Sequence, residues 1–364
     1  MKKKILSGLL AGALAFGFWG SADYAQAASR AELAAISVST ASDFKYWQPN
    51  SPTKAKLVKF VEEAVNPQSK NYIPPEARIA TFDLDGTLYC ETAPYYFQEM
   101  MFLHRVLEDK NYQPTEEMVA VAKEVQPLIL GKKSIPKDLN ARMGKVLHQS
   151  YAGMTADEYA AYVKKFMETK EIGLTNLKRG EAYYLPMVEV VSYLRHNGFT
   201  VYMDSACERE ILRCLVEGVL DVPRDKMIGS NVHYVTSKQG NDAPDHHFFD
   251  RHTEKVVRSG VFAGENGQSN KIFSIFYEIG KQPVLAFGNS TGDSGMLEYT
   301  LQNNPYPSAS FFVLCDDTER ELGNPAKAEK LKKLADERGW DTISMKDEFK
   351  TIYGDKVKLA KKAK

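Results

Sequence analysis

The amino-acid sequence predicts an α/β fold, a doubly wound parallel sheet with a helical domain inserted near its start. Short apolar strand patterns alternate with helical patterns in the second half of the chain, which is typical of a parallel sheet covered on both faces. Residues 93–182 carry a helical period with little strand pattern. A strand predicted at 78–82 precedes this stretch, so the sheet begins before the insert and continues after it.

Composition sets the size of the fold and excludes some partners. The chain has 364 residues, of which 43% are hydrophobic and 26% charged, enough for one large domain or a core with a smaller domain. Lys+Arg and Asp+Glu both number 47. No net charge therefore favours binding to nucleic acid or to an anionic membrane.

The N-terminus predicts a signal peptide over residues 1–27. Three lysines at 2–4 precede an apolar run at 5–20, and Ala25-Gln26-Ala27 has the small residues of a cleavage site. An uncleaved membrane anchor is the alternative, but the run is short for a span and is interrupted by glycines. Because no later segment is long and apolar enough to cross a bilayer, we expect an exported, periplasmic or extracellular protein that leaves the membrane after cleavage.

Residues 28–66 form a lead-in with a helix predicted at 52–65. Within the insert, the clearest helix begins after Thr155, which forms a capping-box pattern with Glu158. Its aromatic face fits a core better than a ligand cage. The later elements are helices at 186–197, 208–217, 271–279 and 326–338, with strands at 200–204, 283–287 and 309–314. The lysine-rich end, 349–364, is predicted to be a basic solvated tail, and a surface-binding arm is the alternative.

Two signatures provide a nucleophile and a phosphate site at strand ends. Asp83 directly follows the first strand, where its carboxylate can attack phosphorus, and Asp85 lies close enough to protonate the leaving oxygen. Ser205 follows the strand at 200–204. Its hydroxyl and the backbone N–H of Ala206 can hold a phosphoryl oxygen.

Two further signatures provide charge balance. Lys271 stands at a helix start, where its ammonium can offset the charge of Asp83 and of a phosphate. Residues 288–293 follow the strand at 283–287, and the oxygen ligands of Asn289 and Asp293 suit a hard cation such as Mg2+. Each signature alone is weak evidence for a phosphoryl-transfer site. The prediction depends on the occurrence of all four in this order along the chain.

With these four motifs, the sequence resembles the haloacid-dehalogenase-like superfamily, in particular the phosphatases related to phosphoserine phosphatase and a group of exported bacterial members. The resemblance covers residues 67–348 and implies a catalytic core at 67–92 and 183–348 with a helical cap at 93–182. It implies that Asp83 is phosphorylated, that Asp85 is the general acid–base, and that Ser205, Ala206 and Lys271 bind phosphate. The implied magnesium ligands are Asp83, Asp85, Asn289 and Asp293. The implied activity is hydrolysis of small phosphorylated metabolites, such as phosphoserine- or phosphocholine-like esters.

Two departures from the family pattern leave an alternative open. Asn289 stands where many relatives have an aspartate that binds magnesium, and Ala206 and Cys207 stand where relatives often have glycines. The alternative is a weak or inactive binding protein on a phosphatase scaffold. Dehalogenating relatives lack the second aspartate, so Asp85 argues against that reaction. Mutases need phosphorylated cytoplasmic metabolites, which an exported protein would not meet.

The remaining candidates are less specific. Glu91 and Tyr95 follow the first motif and are candidates for a substrate rim, where Glu91 either binds an amine or is an ordinary polar turn residue. Cys90 and Cys207 either form a disulfide or stay as buried thiols. The His- and Asp-rich segment at 242–252 matches no defined metal spacing, so we interpret it as an exposed loop.

Overall fold

The computed structural model describes residues 27–360, so the predicted signal peptide lies outside the described residues except for Ala27. The strands are β1 Ile79–Phe82, β2 Leu174–Thr175, β3 Thr200–Glu208, β4 Met227–Thr236, β5 Val256–Gly264, β6 Leu285–Gly288, β7 Ala309–Leu314, β8 Asp341–Ser344 and β9 Lys358–Leu359. The helices are α1 Arg30–Ala34, α2 Pro52–Val65, α3 Phe97–Leu107, α4 Glu116–Leu130, α5 Lys137–Gln149, α6 Ala156–Met167, α7 Leu185–His196, α8 Arg209–Val216, α9 Ser269–Ser274, α10 Ser294–Leu301, α11 Pro325–Arg338 and α12 Met345–Glu348.

The main sheet has seven strands in the order β5-β4-β3-β1-β6-β7-β8. All neighbours are parallel except β4 and β5. The central strand β1 is buried along its whole length, as expected for a strand covered on both faces. The predicted α/β class and parallel sheet are therefore confirmed.

The hairpin of β4 and β5 was not predicted from the sequence. Several of its side chains are exposed, because β5 lies at the edge of the sheet, so the residues do not form the apolar run of a buried strand. Strand β3 is also longer than predicted and extends through Ser205 to Glu208, with an irregular register after Asp204.

The insert is helical and contains α3 to α6. Helix α6 begins at the predicted capping box of Thr155 and Glu158. Tyr159 and Phe166 are buried on the aromatic face of this helix, consistent with the core role predicted for it. Helices α5 and α6 pack on β5, and α6 also contacts α8, so the insert rests on the unpredicted hairpin and on the helix after β3.

The described part of the predicted C-terminal tail, residues 349–360, is packed and not solvated. Phe349, Ile352 and Tyr353 are buried, and β9 pairs with β2 in an antiparallel ladder. Of the lysines that suggested a tail, Lys356 and Lys358 flank Val357, which the fold buries. Between residues 27 and 360, no helix has the length and apolar character that a membrane span requires.

Candidate active site

The predicted site residues converge at one edge of the main sheet. Strand β1 has β3 and β6 as neighbours, and all three run parallel. Asp83 follows β1, Ser205 lies near the end of β3, and Asn289 follows β6. Because parallel strands end at the same edge, the topology brings the separate motifs together where α/β proteins bind ligands.

Lys271 connects the motifs through one buried ammonium group. Its Nζ donates hydrogen bonds to Asp83 Oδ1 at 2.9 Å, to Asp293 Oδ1 at 2.6 Å and to the carbonyl oxygen of Asp204 at 2.5 Å. Burial acts to lower the pKa of Lys271, but Asp293 and Asp83 outweigh it and hold that pKa above its usual range. The side chain therefore stays positively charged while being only 1% exposed.

Asp83 is buried, and its backbone N–H is fixed by a hydrogen bond of 2.9 Å to the carbonyl of Phe287 on β6. Burial and the nearby charge of Asp293 raise the pKa of Asp83 to about 7, against the opposite effects of Lys271 and the Ser205 hydroxyl. The site thus carries more negative charge than its own lysine balances.

Asp85, the predicted general acid–base, lies two residues after Asp83 in a partly buried position. Its Oδ1 is buried and has no hydrogen-bond partner among residues 27–360. Burial, followed by the charges of Asp83, Glu91 and Glu99, raises the pKa of Asp85 well above its usual range. The raised pKa favours the protonated form of this carboxyl, which is the form that a general acid requires.

The loop after β6 is folded around the carboxylate of Asp293. Asp293 Oδ2 accepts hydrogen bonds from the backbone N–H groups of Asn289 at 2.9 Å and Ser290 at 3.0 Å. The Asn289 side chain lies against Gly86, where a Cβ atom would be 1.8 Å from Asn289 Nδ2. Asn289 is thus held directly beside the turn that carries Asp83 and Asp85.

Asn266 is a site residue that the sequence did not indicate. Its Nδ2 donates to Asp204 Oδ1 at 2.7 Å and to the carbonyl of Ser205 at 3.2 Å. Burial raises the pKa of Asp204 to about 6, while Lys271 and Asn266 act to lower it. Asn266 therefore holds in place the strand end that carries Ser205, and its segment contains no recognisable motif.

The predicted magnesium ligands do not form a closed carboxylate cluster. Between residues 27 and 360, no group of three or more His, Cys, Asp or Glu side chains is placed to hold a metal ion. Both oxygens of Asp293 are already engaged, one by Lys271 and the other by backbone N–H groups. The oxygen atoms of Asp83 and Asn289, beside Asp85, are the donors that suit a hard dication.

Two cavities flank the site. One, of about 390 Å³, is lined by Glu91, Tyr95, Tyr96 and Asn289, so the predicted rim residues do border the site. The Glu91 carboxylate already accepts a hydrogen bond from the Tyr96 hydroxyl at 3.1 Å and lies 3.6 Å from Lys327 Nζ. The other cavity, of about 630 Å³, reaches Ala206, whose side chain is exposed next to the buried Ser205.

The cysteines and the histidine-rich segment are separate from this arrangement. All four cysteines are free, so Cys90 and Cys207 form no disulfide in this structure. The segment at 242–252 is mostly exposed, and His247 in it pairs with Glu254 at 2.7 Å.

Comparisons with known proteins give distant structural likenesses only. No family model matches the sequence, and the search of curated proteins finds no match. A conserved protein of unknown function from Anaerococcus prevotii is similar at 12% identity, with 82% of this chain and 92% of that chain covered and a TM-score of 0.48. A cytosolic 5'-nucleotidase IIIB bound to cytidine is similar at 12% identity, with 80% and 86% covered and a TM-score of 0.46. A phosphoserine phosphohydrolase-like protein from Francisella tularensis is similar at 14% identity, with 71% and 92% covered and a TM-score of 0.35.

These likenesses are too distant to show a family, so the fold and the site are described by the topology and contacts of this chain itself. The parallel sheet and the helical insert between the first and second motifs agree with the expectation drawn from the sequence, and the structure brings Asp83, Lys271 and Asp293 into contact. The chain has an α/β fold with a seven-stranded, mostly parallel sheet and a helical insert, which is the fold class that the sequence predicted.

Proposed function

We propose that this chain is a magnesium-dependent phosphomonoester hydrolase that acts through a phosphoryl group carried on Asp83. The observation that supports this most directly is the position of Lys271, whose Nζ contacts Asp83 Oδ1 at 2.9 Å and Asp293 Oδ1 at 2.6 Å. A buried ammonium between a nucleophile and a second carboxylate suits the binding of a phosphoryl oxygen.

The first step forms the aspartyl-phosphate. The Asp83 carboxylate attacks phosphorus, the bond to the ester oxygen breaks, and Asp85 gives its proton to the departing alkoxide. The Lys271 ammonium, the Ser205 hydroxyl and the Ala206 N–H stabilise the charge on the transferring group. The raised pKa of Asp85 supports this role, because the carboxyl must be protonated when the substrate binds.

The second step releases phosphate. Asp85, now ionised, takes a proton from a water molecule whose oxygen attacks phosphorus, and the bond to Asp83 breaks. Inorganic phosphate leaves and the carboxylate of Asp83 is restored. Both steps use the same two carboxyl groups, so the loss of either one stops turnover.

A magnesium ion fits the charges at this site. Asp83, Asp204 and Asp293 surround Lys271, and burial with repulsion from Asp293 raises the pKa of Asp83 to about 7. We propose that Asp83, Asp85 and Asn289 hold the ion, and that Asp293 positions their loop. When bound, the ion neutralises charge on the phosphoryl oxygens.

The alternative is a binding protein that Asn289 has made inactive. An amide oxygen can bind magnesium without bringing a charge, so Asn289 favours weaker metal binding over its complete loss. The Asn289→Asp variant separates these cases. We expect Asn289→Asp to need less magnesium than the wild type for half-maximal activity. If the protein is instead an inactive binding protein, the wild type should show no activity at any magnesium concentration.

The first test is hydrolysis of p-nitrophenyl phosphate by residues 28–364, with and without a chelator. Asp83→Asn should abolish activity, since an amide cannot attack phosphorus, while Asp242→Asn in the exposed segment is the matched control. Retained activity in Asp83→Asn would overturn the proposed nucleophile. No activity in a folded wild-type protein, over a wide range of pH and divalent metals, would favour the binding protein.

Substrate and location follow as further parts of the proposal. We propose a small phosphorylated metabolite as substrate, because both cavities beside the site are of small-molecule size. Export to the periplasm or medium is proposed from the N-terminal sequence, and N-terminal sequencing of the secreted protein tests cleavage after Ala27.

A further inference from the structure

The side chain of Ser230 on β4 lies next to the turn that carries the proposed phosphate site. It is buried, and its Oγ donates a hydrogen bond to the carbonyl oxygen of Ala206 at 2.6 Å. The same Oγ accepts a hydrogen bond from the backbone N–H of Asn266 at 2.9 Å. Because a carbonyl oxygen can only accept, the hydroxyl hydrogen of Ser230 is committed to Ala206 and its direction is fixed.

The peptide group between Ala206 and Cys207 connects Ser230 to Ser205. Its carbonyl accepts from Ser230, and its N–H donates to Ser205 Oγ at 3.2 Å. Since the peptide group is planar, any rotation of this carbonyl also turns the N–H away from Ser205. Hydrogen bonds in series also polarise and strengthen one another. Ser230 is therefore coupled to the Ser205 hydroxyl through two hydrogen bonds and one rigid unit.

This coupling decides where the Ser205 hydroxyl hydrogen points. Ser205 is 1% exposed, and its Oγ accepts from the Cys207 N–H, which leaves its own hydrogen for another acceptor. Burial raises the pKa of Asp83, and a hydrogen bond from the Ser205 hydroxyl is among the interactions that act against this rise. The hydroxyl hydrogen is thus directed toward the proposed nucleophile, where a phosphoryl oxygen would be bound.

The local backbone explains why a side chain holds this peptide. The register between β3 and β4 shifts between Asp204 and Glu208, so the stretch around Ala206 departs from the regular ladder. Strand β4 comes very close to this stretch, since a Cβ atom on Gly229 would lie 2.7 Å from the Cys207 carbonyl oxygen. Glycine permits the close approach, and the next residue, Ser230, supplies a side-chain hydrogen bond within the irregular stretch.

We propose that Ser230 is a positioning residue for phosphoryl transfer, and that it orients the Ser205 hydroxyl through the Ala206–Cys207 peptide group. This inference rests on the proposed function, because it concerns a donor to the transferring phosphoryl group. A donor of this kind acts mainly in the transition state, where charge on the phosphoryl oxygens must be stabilised by groups already in place. The loss of Ser230 should therefore appear in kcat more than in KM.

The test measures hydrolysis of p-nitrophenyl phosphate by Ser230→Ala, by Ser205→Ala and by the double variant. Ser230→Ala should lower kcat by about tenfold, less than the roughly hundredfold expected when Ser205→Ala removes the donor itself, with KM changed by less than about twofold. In the Ser205→Ala background, Ser230→Ala should have no further effect on kcat, because the hydroxyl that it orients is absent. Ser230→Thr keeps a hydroxyl and should retain most of the wild-type kcat.

Ser259→Ala on the neighbouring strand β5 is the matched control, since the Ser259 hydroxyl accepts from the backbone N–H of Val261. It should keep the wild-type kcat, and thermal unfolding checks that every variant is folded. Three results would overturn the proposal: an unchanged kcat in Ser230→Ala, equal losses from Ser230→Ala with and without Ser205, or a loss in Ser230→Thr as large as in Ser230→Ala. Equal losses in both backgrounds would assign Ser230 a structural role only.

Calorimetric titration with orthovanadate in the presence of magnesium tests the same coupling without turnover, because bound vanadate resembles the transferring phosphoryl group. Ser230→Ala should weaken vanadate binding in the wild-type background and leave it unchanged in the Ser205→Ala background. If the wild type hydrolyses no ester, the proposed function fails, and this titration still decides whether Ser230 acts through Ser205. A folded wild type that binds no vanadate would overturn the role of Ser230 as well.

Discussion

Single residues at this site are held by hydrogen bonds that the motifs do not reveal. Asp204 has its Oδ1 bonded to Asn266 Nδ2 at 2.7 Å and to the Ser274 hydroxyl at 3.1 Å, while its backbone carbonyl accepts from Lys271. The Asp204 carboxyl and the Lys271 ammonium are thus positioned by the same small network. Asn266 is the member that also contacts the backbone of Ser205.

Replacing Asn266 should therefore affect both stability and catalysis. We expect Asn266→Ala to lower the free energy of unfolding by about 1–3 kcal/mol, because the buried Asp204 carboxyl loses a donor. The value of kcat should also fall, since Ser205 loses a contact. Urea denaturation and steady-state kinetics measure the two effects.

The control for this prediction is Asn270→Ala, an exposed residue whose side chain bonds only the Glu265 carbonyl at 2.8 Å. We expect a change within about 0.5 kcal/mol there. Equal effects of the two substitutions would contradict the role assigned to Asn266.

Glu99 should make stability depend on pH. Its pKa is raised from 4.5 to about 7 by burial and Glu265, so the folded state binds more protons than the unfolded state between these values. The free energy of unfolding contributed by this group therefore falls as pH rises through that window, by at most about 1.4 kcal/mol per pH unit.

Urea denaturation of the wild type and Glu99→Gln at about pH 5 and about pH 7 tests this linkage. The variant cannot titrate at this position, so its stability relative to the wild type should improve as pH rises. If the free energies of unfolding of the two proteins change with pH in parallel, the pKa of Glu99 is the same in the folded and the unfolded state, and the prediction is wrong.

The sequence indicates candidate site residues where the chemistry demands a particular side chain at a strand end. Asp83, Ser205, Lys271 and Asp293 could be predicted because phosphoryl transfer needs a nucleophile, donors and charge balance in a recognisable order. Asn266 and Glu99 could not, because each acts through its three-dimensional position beside another residue. A lone Asn or Glu in a sequence carries no sign of that position.

At the scale of secondary-structure elements, the site is built where the turn after β1 meets the loop after β6. Gly86 has φ of +80°, and a Cβ there would lie 1.8 Å from Asn289 Nδ2. The glycine is needed both for the backbone conformation and for the close approach of the two loops.

Gly86→Ala should therefore separate the loops. Gly153→Ala is a matched control, since Gly153 has φ of +81° and nothing lies within 4 Å of its Cβ position. We expect Gly153→Ala to cost about 1–2 kcal/mol for the left-handed conformation alone. Gly86→Ala should destabilise the protein more than this and should also lower its activity. Thermal unfolding measures the stability and ester hydrolysis the activity. Equal losses of stability in Gly86→Ala and Gly153→Ala would contradict the loop contact.

Elements were predicted well where one face of a helix or both faces of a strand are buried. Helix α2, strand β7 and the capping box before α6 are found where their sequence patterns indicated. The β4–β5 hairpin was missed because an edge strand with exposed side chains lacks an apolar run, and because its partner lies across a polar connection.

At the scale of the whole molecule, the helical insert contacts a buried ion pair between two strands of the sheet. The guanidinium of Arg258 on β5 donates to Glu208 on β3 at 2.5 and 2.9 Å. The Tyr159 hydroxyl of α6 donates to Glu208 at 3.1 Å, and the Arg258 guanidinium lies 3.7 Å from the centre of the Tyr159 ring. These contacts fix α6 against the end of the strand that carries Ser205.

Breaking this pair should destabilise the protein strongly. We expect Arg258→Met to lower the free energy of unfolding by about 3–5 kcal/mol, because Glu208 remains buried without its partner. The double variant Glu208→Gln with Arg258→Met should recover part of this loss. The exposed pair of Lys332 and Asp336 is the control, where Asp336→Asn should change stability by less than about 1 kcal/mol. A loss in Arg258→Met no larger than in the control would contradict the coupling.

The short ladder between β2 and β9 has a mechanical consequence. Leu359 pairs with Leu174 and Lys358 with Thr175, so the chain after the main sheet is tied to the segment that returns from the insert. Under tension applied at the carboxyl end, β9 would be the first strand to bear load, and its few hydrogen bonds would open one after another. The seven-stranded sheet would bear load only after this two-stranded ladder has opened. A single-molecule pulling trace should therefore show a small early step, from opening of the ladder, before the main rupture of the sheet.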